Sequence, residues 1–221
     1  MKHSLFLVVV LCATLASTAA LAQTTKLPAP NMKRRTLSVM ETFQQRKSDR
    51  AFSTRSIDRQ LLSDLLWCAQ GKNREDGKLT TPTCMNWQEI RLYVFDSRGV
   101  YLYDPQAHAL NQVARGDKRD LVADKQEWAK EAPVSFVLVA DMDKHGFHDE
   151  RSHEMVAVDA GICTQNICLA CAAFGLSTVP RASMQHEEIQ RLLGLSEFQI
   201  PVMNNPIGYP AKKRKKLSLP L

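Results

Sequence analysis

The sequence lacks several features that would assign it to a class at once. It has no internal repeat, which argues against a solenoid or propeller. It has no Gly-x-Gly-x-x-Gly run between a strand and a helix, which argues against a separate dinucleotide-binding domain. Beyond residue 22 we expect no segment apolar enough to cross a membrane. These absences leave a single globular domain with no stable membrane insertion.

Cysteine is scarce and irregularly spaced. The chain has six cysteines, and the odd number beyond residue 22 has no repeated spacing, which argues against a disulfide framework. Cys168 and Cys171 have the C-x-x-C spacing of redox and metal sites. They lie within a long apolar run, however, where free cysteine packs as a small hydrophobe. We therefore expect a packing role, with redox or metal use as the alternative.

The net charge of +6 is confined to the two ends of the chain. Lys2 and the five cations of residues 212–216, here called the basic segment, account for all of it. A nucleic-acid-binding protein should spread its positive charge over the folded surface. The distribution therefore argues against nucleic acid. It leaves two interpretations of the basic segment, a solvated charged terminus or a small phosphate site.

The first 22 residues have the layout of a secretory signal peptide. Lys2 precedes an apolar run at 4–11, and Ala20-Leu21-Ala22 offers a small-x-small cleavage site. An uncleaved membrane anchor is the alternative, although hydroxyl residues dilute the apolar run. We expect cleavage before Gln23 and export, to the periplasm.

The remaining pattern predicts an extended lead-in at 23–36 and one α+β domain over 37–221. Capping residues and apolar periodicity predict helices at 38–46, 58–70, 117–130, 152–174 and 186–193, the fourth buried nearly all round. Strands are predicted at 90–95, 100–103 and 134–140, the last central and two-sided, with an edge strand or extended arm at 200–207. A hairpin at 96–99 joins the first two, its glycine supplying an unusual backbone angle.

Four short segments contain residues that could bind a ligand. In the first, Arg46-Lys47-Ser48-Asp49-Arg50, alternation would put Arg46, Ser48 and Arg50 on one side, an arrangement that suits a phosphate monoester. An ordinary charged linker is the alternative. The second, 81–88, is a loop of small polar side chains that could offer donors and acceptors to a planar heterocycle. The third is 175–183, after the long helix, and the fourth is Gly208-Tyr209-Pro210.

Taken in order, these segments resemble the nitroreductase-like flavoprotein family. That family shows R-[RH]-S-x-[RK], then P-S-x-x-N-x-Q, then G-L-x-x-x-P after a buried helix, and a late G-Y-P before basic residues. Residues 99–105 are similar to the branch that contains peptide-azoline dehydrogenases. The resemblance runs from Thr36 onward. It implies a three-layer fold with a mixed, mainly antiparallel sheet flanked by helices, in an intertwined homodimer with FMN at two interface sites.

The resemblance also implies which residues bind FMN. Arg46 and Ser48 would lie near the phosphate, Lys47 along the ribityl chain and Arg50 towards the N1/O2 edge of the ring. The phosphate clamp would be completed by Lys213 and Arg214. The backbone of Pro180, Arg181 and Ala182 would pass the flavin edge, with the Ala182 amide as a donor to N5. Four loop residues would reach the flavin of the other subunit: Thr83, Cys84, Met85 and Asn86.

The implied activity is that of an FMN-dependent oxidoreductase. Hydride or electrons would pass, by a ping-pong mechanism, from a reductant such as NAD(P)H to a small nitroaromatic or quinone acceptor. No catalytic side chain is expected, because the flavin carries the chemistry. Three alternatives stay open. They are a dehydrogenase of a peptide-derived or other small substrate, an exported flavin-binding module without turnover, and an exported polyanion- or surface-binding protein that uses the basic segment.

Two further features bear on the site. Glu89 replaces a common proline of the family, and we expect it to put a carboxylate near the mouth of the site. Six residues look like a metal cluster, but their spacing fits no known site, so we expect no metal: Asp141, Asp143, His145, His148, Asp149 and His153.

Overall fold

The structure is a computed structural model that describes residues 23–144 and 146–211. The predicted signal peptide, 1–22, lies outside the described residues, as do Lys213, Arg214 and the rest of the basic segment.

Seven strands form one sheet, in the order β1-β4-β3-β2-β5-β7-β6. They are β1 (Thr24–Lys26), β2 (Ile90–Asp96), β3 (Gly99–Asp104), β4 (Ala109–Arg115), β5 (Val134–Asp141), β6 (Ser177–Thr178) and β7 (Gln199–Gly208). All six pairs of neighbouring strands in the described chain are antiparallel. Five α-helices accompany them: α1 (Val39–Gln45), α2 (Arg59–Gln70), α3 (Arg119–Ala123), α4 (Glu150–Ala173) and α5 (His186–Leu193). The predicted α+β class is confirmed.

The three layers follow from β5, in which every residue is buried. Side chains alternate along a strand, so Phe136 and Leu138 face one side of the sheet and Val137 and Val139 the other. The first pair packs in an apolar cluster with residues of α2 and α4. The second pair packs in a separate cluster with residues of α3 and α5. The prediction of a central, two-sided strand is confirmed.

The long helix α4 is confirmed, but its expected burial on all sides is wrong. Val158 is 55% exposed, and other residues of the same face lie open as well. Among the residues that the structure describes, α4 is the one helix long and apolar enough to cross a membrane, with a mean hydropathy of 1.5. We expected no segment beyond residue 22 to be apolar enough to cross a membrane. The length and composition of α4 show that this expectation is wrong. Half of that apolar stretch is buried inside the fold, as in the core helix of a globular domain.

Local signals place the other helix ends well. Ser38 and Glu41 form the predicted capping box of α1. The Leu61 amide donates to Asp58 Oδ1 at 2.8 Å, which begins α2 as predicted. Gly194, with φ of 62°, ends α5.

The segment 117–130 was predicted as a single helix, and this prediction is wrong. α3 ends at Ala123 because Asp124 has a φ of 53°, outside the helical range. A separate 3₁₀ turn follows at Glu127–Glu131. After this break, the Trp128 ring lies against Arg50 and Arg181.

Two strand predictions also need correction. β7 is not an edge strand or an arm, because it lies between β5 and β6 and pairs with β5 along its length. Pro201 is accommodated beside a register shift between Leu138 and Val139, whereas Pro206 lies in regular register opposite Ser135. The hairpin of β2 and β3 is confirmed, but Gly99 does not supply an unusual angle. A Cβ there would lie 2.5 Å from the Ala114 carbonyl oxygen, so glycine is needed for close approach to β4.

Candidate functional site

Three of the four predicted segments meet in the fold. The Asp49 amide donates to the Thr178 carbonyl at 3.0 Å. Phe52 forms a β-bridge with Pro210, and the Ala211 amide donates to the Ala51 carbonyl at 3.1 Å. We call this meeting of residues 46–53, 175–183 and 208–211 the junction. Backbone hydrogen bonds therefore hold both ends of the domain together at one place.

Gly208 explains how the segments come so close. A Cβ at this position would lie 2.6 Å from Pro133 Cδ and 3.3 Å from Phe52 Cδ1. A contact of 2.6 Å is shorter than Cβ atoms make in proteins, so any side chain at position 208 would displace Pro133 or push the Gly208-Tyr209-Pro210 segment away from it, and it would also crowd Phe52. The glycine of this motif thus has a packing role in building the junction.

The side chains of residues 46–50 alternate as the sequence predicts. Lys47 and Asp49 form an ion pair at 3.4 Å and line a cleft of about 440 Å³ between α1, the end of α4 and Pro210. Arg46, Ser48 and Arg50 do not line this cleft. None of the seven ion pairs formed by the described residues includes Arg46 or Arg50. Two arginines of the junction therefore remain without a carboxylate partner there.

Trp128 supports Arg50, although sequence reasoning did not single it out. The Arg50 guanidinium carbon lies 5.8 Å from the centroid of the Trp128 ring, and that of Arg181 lies 5.3 Å away. Phe52 stacks on the same indole with a centroid distance of 6.3 Å. Cation–π contacts of this length are attractive. Because Trp128 sits in a charged stretch, no local pattern marked it.

Arg181 turns its side chain into the protein. It is 7% exposed and donates to the carbonyl oxygens of Val122 and Ala123 and to Asn204 Oδ1, at 3.0, 2.9 and 2.9 Å. Only its backbone continues along the junction, between half-buried Pro180 and exposed Ala182. The Ala182 amide makes no hydrogen bond to the part of the chain that the structure describes. It is a donor open to a ligand.

The remaining segment, the loop 81–88, lies elsewhere in the same chain. The Cys84 amide donates to Asp159 Oδ2 on α4 at 2.8 Å. Arg46, in contrast, lies near Cys168 on the same helix. Burial raises the pKa of the Cys168 thiol, and the charge of Arg46 acts to lower it. Nine helical residues separate these two contacts, a rise of about 13.5 Å. The loop with Thr83, Cys84, Met85 and Asn86 is therefore not brought to the junction of its own subunit.

The expectation that Glu89 lies near an open mouth is wrong. Its side chain is fully buried, beneath the 82–88 loop and against α4. Burial, reinforced by the neighbouring Asp159 carboxyl group, raises the pKa of Glu89 to about 7. The position after Gln88 therefore holds a buried acid.

The residues of the metal-like pattern have other partners. His148 stacks on Phe198 with a centroid distance of 3.8 Å, Asp149 caps α4, and Asp143 accepts a hydrogen bond from Ser196. His145 lies outside the described residues. Within the described ranges no group of three His, Cys, Asp or Glu side chains could hold a metal ion.

Comparison with known proteins assigns this architecture to a family. The model of the nitroreductase family matches residues 43–209. A protein of Methanothermobacter thermautotrophicus that carries the name NADH dehydrogenase/NAD(P)H nitroreductase is 23% identical over 180 residues, 80% of this chain and 79% of that protein. The crystal structure of a protein from Ralstonia eutropha JMP134, described as a nitroreductase, is 29% identical with a TM-score of 0.80, covering 87% of this chain and 92% of that one.

A more distant similarity shows the fold alone. One chain in the E. coli microcin synthetase McbBCD complex with truncated pro-MccB17 bound is 16% identical, with a TM-score of 0.66, covering 94% of this chain and 85% of that one. The family model spans well over half of the sequence and includes most of the junction. The chain therefore belongs to the nitroreductase family.

Proposed function

We propose that the protein binds FMN at the junction and transfers hydride or electrons from a reductant such as NAD(P)H to a small nitroaromatic or quinone-type acceptor. Membership of the family supports an oxidoreductase activity. The name of the Methanothermobacter relative suggests NAD(P)H as the donor. When bound, FMN would supply the redox chemistry at N5, and the chain would bind, orient and shield it.

The observation that carries this proposal is the pair of unpaired arginines at the junction. An arginine without a carboxylate partner is a ready site for a phosphate, since its guanidinium binds phosphate oxygens through charge-assisted hydrogen bonds. Arg46 is half-buried, and Ser48 and Arg50 are exposed beside it. The chain leaves the described part at Ala211, which is hydrogen-bonded to Ala51. Lys213 and Arg214 follow within three residues, and we assign them to the same phosphate.

The remaining junction residues suit the flavin ring and its chain. Lys47 lines the cleft and would follow the ribityl chain. The backbone from Pro180 through Arg181 to Ala182 would pass the ring edge, where the open Ala182 amide would donate to N5. Arg50, held against Trp128, would lie near N1/O2. A cation and a backbone N–H so placed would stabilise negative charge on the reduced ring.

The 83–86 loop supports a homodimer. Within one chain it is tied to Asp159 and lies well away from Arg46, so it would contact only the flavin of a second copy. Large apolar side chains lie exposed on α1, on α4 and on this loop, and exposed apolar patches mark interaction surfaces: Val39, Met40, Phe43, Met85 and Val158. We propose that these side chains are covered by the second subunit, and that each FMN lies between two chains.

A peptide-derived substrate is the alternative suggested by residues 99–105, and the fold of the microcin synthetase chain is compatible with it. A flavin-binding module without turnover is the other alternative. The pattern of residues 1–22 supports export to the periplasm.

The test is the absorption spectrum of protein expressed without residues 1–22, which should show the bands of bound oxidised flavin. Arg46→Ala is expected to raise the dissociation constant of FMN about ten- to hundredfold, because one charge-assisted hydrogen bond is lost. Titration of apoprotein with FMN measures this effect. Arg115→Ala, at an exposed position on β4, which lies in the other half of the sheet from β7 and β6, is the matched control and should bind as the wild type does. Unchanged affinity in Arg46→Ala would contradict the clamp.

The dimer is tested by charging its proposed interface. Phe43→Lys is expected to convert a dimer to monomers and to reduce FMN occupancy in parallel, because a buried unpaired ammonium costs several kcal/mol. Sedimentation equilibrium gives the oligomeric state. Val113→Lys on β4, where the valine is 41% exposed, is the control and should leave the dimer intact. A monomeric wild type, or a dimeric Phe43→Lys protein, would refute the interface.

A further inference from the structure

The buried acid Glu89 lies opposite a second acid. Its side chain is fully buried, and neither carboxyl oxygen has a hydrogen-bond donor among the described residues. Asp159 on α4 is 5% exposed and lies within hydrogen-bonding reach of Glu89. Two carboxylates this close in a buried setting cannot both stay ionised. One proton placed between them turns two repelling acceptors into a donor and an acceptor.

The surroundings favour Glu89 as the group that holds this proton. Burial and the neighbouring Asp159 carboxyl group both raise the pKa of Glu89, to about 7, whereas the charge of Lys144 acts to lower it. Lys144 is engaged in a hydrogen bond with the Gln88 carbonyl and interacts with Asp141 and Arg91 beyond it. Asp159 already accepts a hydrogen bond from the Cys84 amide, whereas the buried oxygens of Glu89 have no donor among the described residues.

The loop above the pair is strained and needs to be held. Met85, Asn86 and Gln88 have φ angles of 49°, 58° and 51°, a region that residues other than glycine rarely adopt. Within the loop, Thr83 accepts from the amides of Asn86 and Gln88, at 3.0 and 2.9 Å. The bond from the Cys84 amide to Asp159 joins the loop to α4. Asp159 therefore anchors a conformation that would not persist alone.

We propose that Glu89 and Asp159 are a positioning pair that shares one proton, and that this proton fixes Asp159 where it anchors the 83–86 loop. Loss of the proton to solvent leaves two buried carboxylates that repel each other, which drives Asp159 from the Cys84 amide and loosens the loop. The link to flavin binding rests on the proposed function, in which this loop contacts the FMN of the second subunit. The pair itself touches no ligand.

The experiment is hydrogen exchange, followed by mass spectrometry, of peptides covering residues 83–88 in the purified flavin-free protein. After correction for intrinsic base catalysis, wild-type exchange should rise roughly tenfold between about pH 6 and pH 8, following deprotonation of a group with a pKa near 7. Glu89→Gln should show less than a twofold rise, because its amide donates to Asp159 at every pH. Asp159→Ala should exchange fast throughout. Glu75→Gln, an exposed acid in a nearby loop, should match the wild type.

A flat wild-type profile overturns the proposal, as does a Glu89→Gln profile like that of the wild type. Should Glu89→Gln fail to fold, the exchange profiles of the wild type and of Asp159→Ala still test the proposal. A second readout is urea unfolding. The folded protein binds this proton more tightly than an ordinary glutamate with a pKa of 4.5. The free energy of unfolding should therefore fall as the pH rises from about 4.5 to about 7, and Glu89→Gln should lack that fall.

Flavin binding is measured separately, by titrating wild type and Glu89→Gln with FMN across the same pH range. Weaker wild-type binding above pH 7, absent in Glu89→Gln, supports the link to the cofactor. If neither protein binds FMN while the exchange profiles behave as expected, the proposed function fails and the positioning pair stands.

Discussion

Arg181→Leu is expected to destabilise the fold by about 3–5 kcal/mol, because it leaves two buried acceptors, the Val122 carbonyl and Asn204 Oδ1, without this donor. Each such loss costs about 1–3 kcal/mol, whereas the Ala123 carbonyl keeps the Gln126 amide as a donor. Arg181 donates to the carbonyls of Val122 and Ala123, which lie at the end of α3 and have no partner within that helix. It also donates to Asn204 Oδ1 and Gln126 Oε1, at 2.9 and 3.2 Å. A leucine has similar bulk and offers none of these bonds.

The measurement is urea unfolding followed by circular dichroism, compared with Arg191→Leu as the control. Arg191 is exposed on α5, and its ion pair with Glu188 is solvated, so its loss should cost less than about 1 kcal/mol. Equal stability losses in the two variants would contradict the structural role given to Arg181. Arg181→Lys should recover little, because one ammonium cannot reach four acceptors on different segments.

Phe136→Ala is expected to cost about 3–5 kcal/mol of folding stability. Phe136 is fully buried in the middle of β5 and packs in the cluster that joins the sheet to α2 and α4. Removing the ring forfeits its burial and leaves a cavity that the flanking strands β2 and β7 cannot close, because both are fixed by their pairing with β5.

Thermal and urea unfolding of Phe136→Ala would measure this loss against Val113→Ala, a half-exposed position on β4. The control should change stability by less than about 1 kcal/mol. A small effect of Phe136→Ala would mean that side chains pack more loosely against β5 than the burial of its residues indicates.

The sequence predicts strands and helix ends best where neighbouring residues determine them. The continuous apolar run of β5 and the caps Ser38 and Asp58 were read correctly, since a cap and a buried strand are determined by nearby residues. The prediction of a single helix at 117–130 is wrong because Asp124 adopts a positive φ, which its residue type does not announce. The prediction of β7 as an edge strand is wrong for two reasons. Pro201 is tolerated beside a register shift, and the residues of a strand do not identify its pairing partners.

The candidate site was predicted unevenly for similar reasons. The alternation of residues 46–50 and the meeting of three segments followed from short motifs. The roles of Trp128 and of the Arg181 side chain did not, because each depends on contacts between segments far apart in sequence. Glu89 was expected at an open mouth, since a carboxyl group is usually solvated. Glu89 is instead buried beside Asp159, which lies seventy residues away in the sequence.

The interior position of β7 has a consequence for the order of folding. β5 keeps one side unpaired until residues up to 208 have been synthesised, and the β-bridge of Phe52 with Pro210 must wait equally long. Such distant pairings form slowly, because the intervening chain must be ordered first. A nascent chain of this protein would therefore complete its sheet, and bring residue 52 to residue 210, only late in translation.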